Sequence, residues 1–166
     1  MPLPESLVAL LAPWNKFYSH SKTAETIVVF LHIGGLLLAG GFAIAADRMT
    51  IRSIGSSASA RATQLKELAA THRWVITGLT IVVISGVALL ASDIETFWGS
   101  WIYWLKMALV AVLLINGLAM TRIEAALEAD PSETSPKWNT LHRTAVTSLA
   151  LWFATTLVGV ALANFA

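Results

Sequence analysis

The sequence predicts an all-α fold, a four-helix bundle integral to a membrane, and three observations predict it. Of 166 residues, 56% are hydrophobic and 13% charged, with a mean hydropathy of +0.68, which is more apolar than a soluble domain of this length normally hides. Four apolar runs are long enough to cross a hydrocarbon core about 30 Å thick, which takes about 20 helical residues. The connections between them are short, and lipid offers backbone groups no partners, so helices packed as a bundle are the natural solution. The whole chain, 1–166, reads as one transmembrane domain.

The N-terminus comes first. Pro2, Pro4 and Glu5 stand where a cleaved signal would carry basic residues, the apolar piece 7–12 is short, and Pro13, Trp14, Phe17 and Tyr18 follow. This predicts a short interfacial segment rather than a signal. The first span, 24–46, has Glu25 at its start, ends at Asp47-Arg48 and holds His32 inside. A Ser- and Ala-rich connection, 49–69, follows, with 58–70 readable as a short helix. The second span, 72–91, is nearly free of charge after Arg73. The third, 101–121, carries Lys106 and Asn116; the fourth, 142–164, has nothing ionisable after Arg143.

Orientation follows from Lys and Arg near the spans. The first connection holds Arg48, Arg52, Arg61, Lys66 and Arg73, and the third holds Arg122, Lys137 and Arg143; the second, around Asp93 and Glu95, holds none. The first and third connections are therefore expected in the cytoplasm and both termini outside. Trp14, Phe17, Tyr18, Trp98, Trp101, Tyr103 and Trp104 would form an aromatic belt on the outer face.

Several function classes are excluded or left without machinery. Net charge is +1 and the 11 basic residues form no stripe with interleaved aromatics, so nucleic acid is not an expected partner. The absence of cysteine removes disulfides, thiolate metal sites and Fe–S clusters. No nucleophile–base motif and no Gly-rich phosphate loop is present, so no catalytic residue is assigned and enzymatic activity is left open.

A repeated pair carries the main functional expectation. "THRWVITGL" and "LHRTAVTSL" place His72-Arg73 and His142-Arg143 at the cytoplasmic mouths of the second and fourth spans, 70 positions apart. With a shift of 74, Leu31 falls on Leu105, His32 on Lys106 and Arg48 on Arg122, as a duplicated helical hairpin would give. If the helices wind in order, the second and fourth sit diagonally, and two inward imidazoles at one depth could hold haem b by its axial positions. Arg73 and Arg143 would then meet its propionates, with Thr77 and Thr147 as minor partners. Solvated interfacial side chains are the competing reading, because the positive-inside rule also places His-Arg there.

His32, Lys106 and Asn116 form a second candidate group. An ionisable residue inside a span is a functional hypothesis by default, and Asp93 or Glu95 is expected to pair with the ammonium of Lys106. The competing readings are snorkelling of Lys106 past Trp101 and Trp104, and a structural hydrogen bond from His32 to a backbone carbonyl or to Asn116. Gly78, Ser85 and Gly86 read as packing positions. Trp152 and Phe153 are expected to face lipid or core.

The stretches "FLHIGGLLLAGGFAIAADR" and "SGVALLASDIETFWGSWIYWLKMALVAVLLINGL" resemble a group of uncharacterised bacterial four-helix inner-membrane proteins, a domain of unknown function. The likeness rests on His32, Asp47-Arg48 and the residues from Trp101 to Lys106, and covers most of the chain. It implies a bacterial inner (cytoplasmic) membrane location, in which the charge distribution puts both termini on the periplasmic side. More distantly the chain is similar to cytochrome b561-type and copper-resistance-D-type bundles. A two-haem cytochrome needs four axial histidines, whereas here only His72 and His142 make an evident pair. The functional expectation is thus a b-type haem electron-transfer or redox accessory protein, with quinone or a membrane protein as partner near His32, alone or as a homo-oligomer. The alternatives are a cofactor-free structural or assembly subunit, and a metal-handling or small-solute transport protein.

Overall fold

The computed structural model describes residues 3–53, 56–129 and 135–165, with the side chain of Ala58 outside that description. Six helices follow in order: α1 (Glu5–His20), α2 (Lys22–Ser53), α3 (Ala58–Ser92), α4 (Ile94–Gly99), α5 (Trp101–Ala129) and α6 (Lys137–Phe165). Four of them, α2, α3, α5 and α6, are long and apolar enough to cross a membrane. The chain is a multi-pass membrane protein, and its fold is an all-α four-helix bundle.

The spans sit where hydropathy puts them, but the helices overrun them. The expected connection 49–69 is mostly helical: α2 continues to Ser53, and the short helix expected at 58–70 is the first part of α3. Ser57 caps it, its hydroxyl accepting from the backbone N–H of Ala60 at 3.5 Å, and no Gly or Pro interrupts the chain before Gly78. Likewise α5 runs past 121 to Ala129 and α6 begins at Lys137. Between α3 and α5, Asp93 ends one helix and starts α4, accepting from the Thr96 N–H at 3.3 Å.

The helix α1 contains Pro13 and buries no residue. It lies against the end of α3, where the Trp14 indole N–H donates to the Ala88 carbonyl at 2.8 Å. Trp14 also groups with Phe17 and Tyr18, as an interfacial segment with amphipathic rings would.

The bundle winds in order, with α2 packed on α3 and α6, and α5 packed on α6; α3 and α5 meet only sparsely. The tightest crossing joins α2 to α3. A Cβ on Gly78 would stand 2.5 Å from the Ala39 backbone nitrogen and 2.8 Å from the Gly35 carbonyl oxygen, so the two backbones touch. Small residues let helices associate in this way in lipid, where apolar burial alone supplies little attraction. Large apolar side chains point outward along the spans, among them Phe30, Leu37, Ile84, Leu118 and Leu157. Lipid is their solvent.

Two core clusters fill the interior. The first joins Ala39, Leu113 and Trp152 mid-bundle, flanked by Leu36, Ala43, Ile44, Leu79 and Leu151. The second joins Leu65, Leu68, Met120, Leu127, Trp138, Leu141 and Ala145. Most of its members belong to the helix extensions beyond the spans. There the Arg61 guanidinium also lies over the Trp138 ring, 5.2 Å from its centroid.

The crossing gives a direct test. Gly78→Ala should lower stability by about 1–3 kcal/mol, as overpacking does, whereas Gly117→Ala, with nothing within 4 Å of the new Cβ, should leave it unchanged or raised. Thermal unfolding of the two variants in one detergent compares them; equal melting temperatures would contradict the backbone contact.

Candidate functional site

Every buried polar group in a span must find a partner inside the protein, because hydrocarbon supplies none. These groups gather at two levels of the bundle, and each level draws on several helices.

The inner level takes one side chain from each of the four long helices, at the inner ends of the spans. Asp47 of α2 is 2% exposed, Glu124 of α5 is 5% exposed and Ser148 of α6 is 7% exposed. Asp47 lies close to the Ser148 hydroxyl and within electrostatic reach of Glu124. His72 of α3 approaches Glu124 from the other side, Nε2 to Oε2 at 3.2 Å. The second oxygens, Asp47 Oδ2 and Glu124 Oε1, have no hydrogen-bond partner. Two buried carboxylates thus share one level, each with one oxygen that has no partner. Toward the helix ends the polar character continues, with the Gln64 amide donating to the Thr50 hydroxyl at 3.4 Å.

The outer level is built around His32 of α2. Its Nδ1 lies 3.0 Å from Ser85 Oγ of α3, and the ring packs over Gly86, where a Cβ would stand 3.3 Å from His32 Cε1. The Ser85 hydroxyl also reaches the Ile81 carbonyl at 2.6 Å. Lys106 of α5 lies near enough to act electrostatically on the imidazole, and its Nζ stands 3.6 Å from where a Cβ of Gly159, on α6, would be. One turn along that face, Thr155 is 6% exposed and its hydroxyl has no partner.

A dry layer separates the two. His32 and Asp47 are 15 residues apart on α2, and Ser85 and His72 are 13 apart on α3, which is about 20 Å along the helices. Between them lies the cluster centred on Trp152, whose indole covers Gly40, 3.2 Å from where a Cβ would be. The arrangement is two polar levels closed off from each other by an aromatic plug.

The residues expected from the sequence distribute unevenly over this frame. His72 reaches the interior, but toward Glu124. The inward stripe of α6 is Trp138, Leu141, Ala145, Ser148, Trp152, Thr155 and Leu162; His142 misses it by one position and is half-buried. The space between α3 and α6 at this end is filled by Leu68, Leu127 and Leu141, each at most 2% exposed. Nε2 of His72, the atom that an axial ligand would use, is engaged by Glu124. Arg73 stacks on Trp74, 5.2 Å from its ring centroid, and Trp74 stacks on Phe42; Arg143 is exposed. Among the described residues, no group of three or more His, Asp or Glu could hold a metal ion.

Lys106 lies within electrostatic reach of His32, but the companions expected for them are elsewhere. Asn116 is not in it: ten residues along α5 from Lys106, it donates to the Thr144 carbonyl at 3.0 Å. Neither expected acid reaches Lys106, since Asp93 caps α4 and Glu95 is exposed. Ser85 is a hydrogen-bond partner as well as a packing position. Asp47, Glu124, Ser148 and Thr155 were not expected. Asp47 and Glu124 had a readable signal, a carboxylate within two residues of an arginine, Arg48 and Arg122, past the ends of the first and third spans.

No family model, curated protein or solved structure matches the chain.

The contact between His72 and Glu124 can be weighed by a double-mutant cycle. His72→Ala leaves the Glu124 carboxylate buried without its partner and should cost about 1–3 kcal/mol. In a Glu124→Gln background the same change should cost less, with a coupling of about 0.5 kcal/mol or more. Strictly additive losses in detergent unfolding would mean that the contact contributes nothing.

Proposed function

We propose that this protein is a small-solute transporter of a bacterial inner membrane, with the inner level as its proton site. The observation that carries the reading is the convergence of Asp47, His72, Glu124 and Ser148, one from each long helix, with an unpartnered oxygen on each carboxylate. A purely structural bundle would gain from apolar residues there, because buried charges are costly in lipid and seldom stabilise. Two polar levels flanking a dry plug also suit a site reached from one side at a time. The sparse packing of α3 on α5 leaves a seam at which the bundle can loosen without breaking its tight crossing.

The redox reading would require His72 Nε2 to leave Glu124 and the leucines between α3 and α6 to make room. Its own test is an absorption spectrum of protein expressed with ample haem. Sharp reduced bands of a six-coordinate b-type haem would replace the transport reading.

Transport is tested in vesicles carrying a lumenal pH dye. Under an imposed potential, the wild-type chain should dissipate a proton gradient several times faster than the Asp47→Asn/Glu124→Gln double variant. Equal rates for wild type, variant and empty vesicles would overturn the reading and leave the assembly-subunit alternative. For the topology, the cysteine-free chain allows a single cysteine at Ser57. It should react with an impermeant thiol reagent only after cells are opened, because the proposal puts both termini in the periplasm; labelling of intact cells would invert it.

A further inference from the structure

The two hairpins match at the outer level. Lys106 stands 74 positions after His32 and Thr155 stands 70 after Ser85, the same two shifts that align the first span with the third and the second with the fourth. Each hairpin thus supplies one nitrogen base and one hydroxyl. In the first hairpin they satisfy each other, His32 Nδ1 to Ser85 Oγ at 3.0 Å. In the second they do not. The Thr155 hydroxyl is buried and unpartnered, and among the described residues no carboxylate pairs with Lys106.

Nor does Lys106 solve its problem by reaching for water. Its Cα is five residues from the start of α5, and Gly159, which its Nζ approaches, is six from the end of α6. Both positions are about 8–9 Å from the outer helix ends. The side chain therefore runs sideways across the bundle at its own depth instead of snorkelling outward. That depth is just inside Trp101 and Trp104, which are exposed and of the kind that marks the headgroup level.

We infer that Lys106 and Thr155, with His32 and Ser85 closing the far wall, form a binding site for a phosphate oxyanion. An ammonium is a point-charge binder of phosphate, and the Thr155 hydroxyl, four residues before the Gly159 that Lys106 Nζ approaches, supplies a second donor on the same face of α6. The phosphate belongs either to an anionic phospholipid, entering from the lipid side, or to a soluble species in the periplasm. This site is separate from the inner carboxylate level and does not depend on the transport reading.

The test places the wild-type chain, Lys106→Gln, Thr155→Val and Thr155→Ser in nanodiscs. In discs of mixed phosphatidylcholine and phosphatidylglycerol, native mass spectrometry counts the lipids that stay with the protein. A lipid source predicts retention of phosphatidylglycerol that falls about tenfold in Lys106→Gln and about threefold in Thr155→Val, and recovers in Thr155→Ser. In discs of phosphatidylcholine alone, a soluble source predicts that added inorganic phosphate raises the melting temperature of the wild type and not of Lys106→Gln. Should Lys106→Gln fail to fold, the Thr155 pair decides by itself. Absence of both effects in the wild type, or their persistence undiminished in Lys106→Gln and Thr155→Val, overturns the inference. Retention is read without any flux, so a transport failure with lipid preference intact strikes only the inner-level reading, and the converse strikes only this one.

Discussion

The contact of backbone on backbone between α2 and α3 governs the rest of the bundle. Gly35, Ala39 and Gly78 bring the two helices closer than any side chain would permit, and the crossing lies between the two polar levels. Its register decides what meets above and below it. On one side His32 arrives at Ser85 and Gly86; on the other, Asp47 and His72 come to the level of Glu124 and Ser148. A shift of one residue along either helix would turn these side chains toward lipid, where each would lack a partner. Small residues with no chemistry of their own thus hold the chemically active ones in place.

The remaining helices complete this frame asymmetrically. α6 packs on both α2 and α5, and its stripe alternates function along one face: apolar at Leu141 and Ala145, hydroxyl at Ser148, aromatic at Trp152, hydroxyl at Thr155. α5 is held mainly by α6, and at the inner level it meets α3 through the His72–Glu124 contact. At the inner level the ionisable groups are consequently shared between helices from different hairpins. This is how a bundle can join two hairpins without extensive contact between α3 and α5.

The four spans were legible because hydropathy over about 20 residues is a property of sequence alone. The helix ends were not. The segments 47–53, 58–71 and 122–129 are too polar to read as membrane, yet continue as helix because nothing in them breaks it. His32 and Lys106 could be marked as functional from depth alone. Their partners could not, since the neighbours of a side chain depend on crossing and register. The repeated His-Arg has a plain physical source in an interface that attracts basic residues, and both histidines are half-buried; what the sequence did not show is that His72 meets Glu124. The two shifts of 70 and 74 held more than was read from them. Applied to Ser85, the shift of 70 reaches Thr155, the hydroxyl without a partner.

The overrun of the helices past the hydrocarbon divides the protein between two solvents. Leu65, Leu68, Leu127, Trp138 and Leu141 sit where water, not lipid, is the alternative to burial. They are held by the hydrophobic effect proper, which carries a large heat-capacity change and weakens on cooling. The crossing at Gly35 and Gly78 is held by dispersion at short range, which has no such signature. Cold and urea therefore act chiefly on the inner cap, whereas a change of lipid or detergent acts chiefly on the membrane half. The carboxylate level lies at the seam between these two regimes, so the access of water to Asp47 and Glu124 is set by whichever half is the weaker at a given temperature.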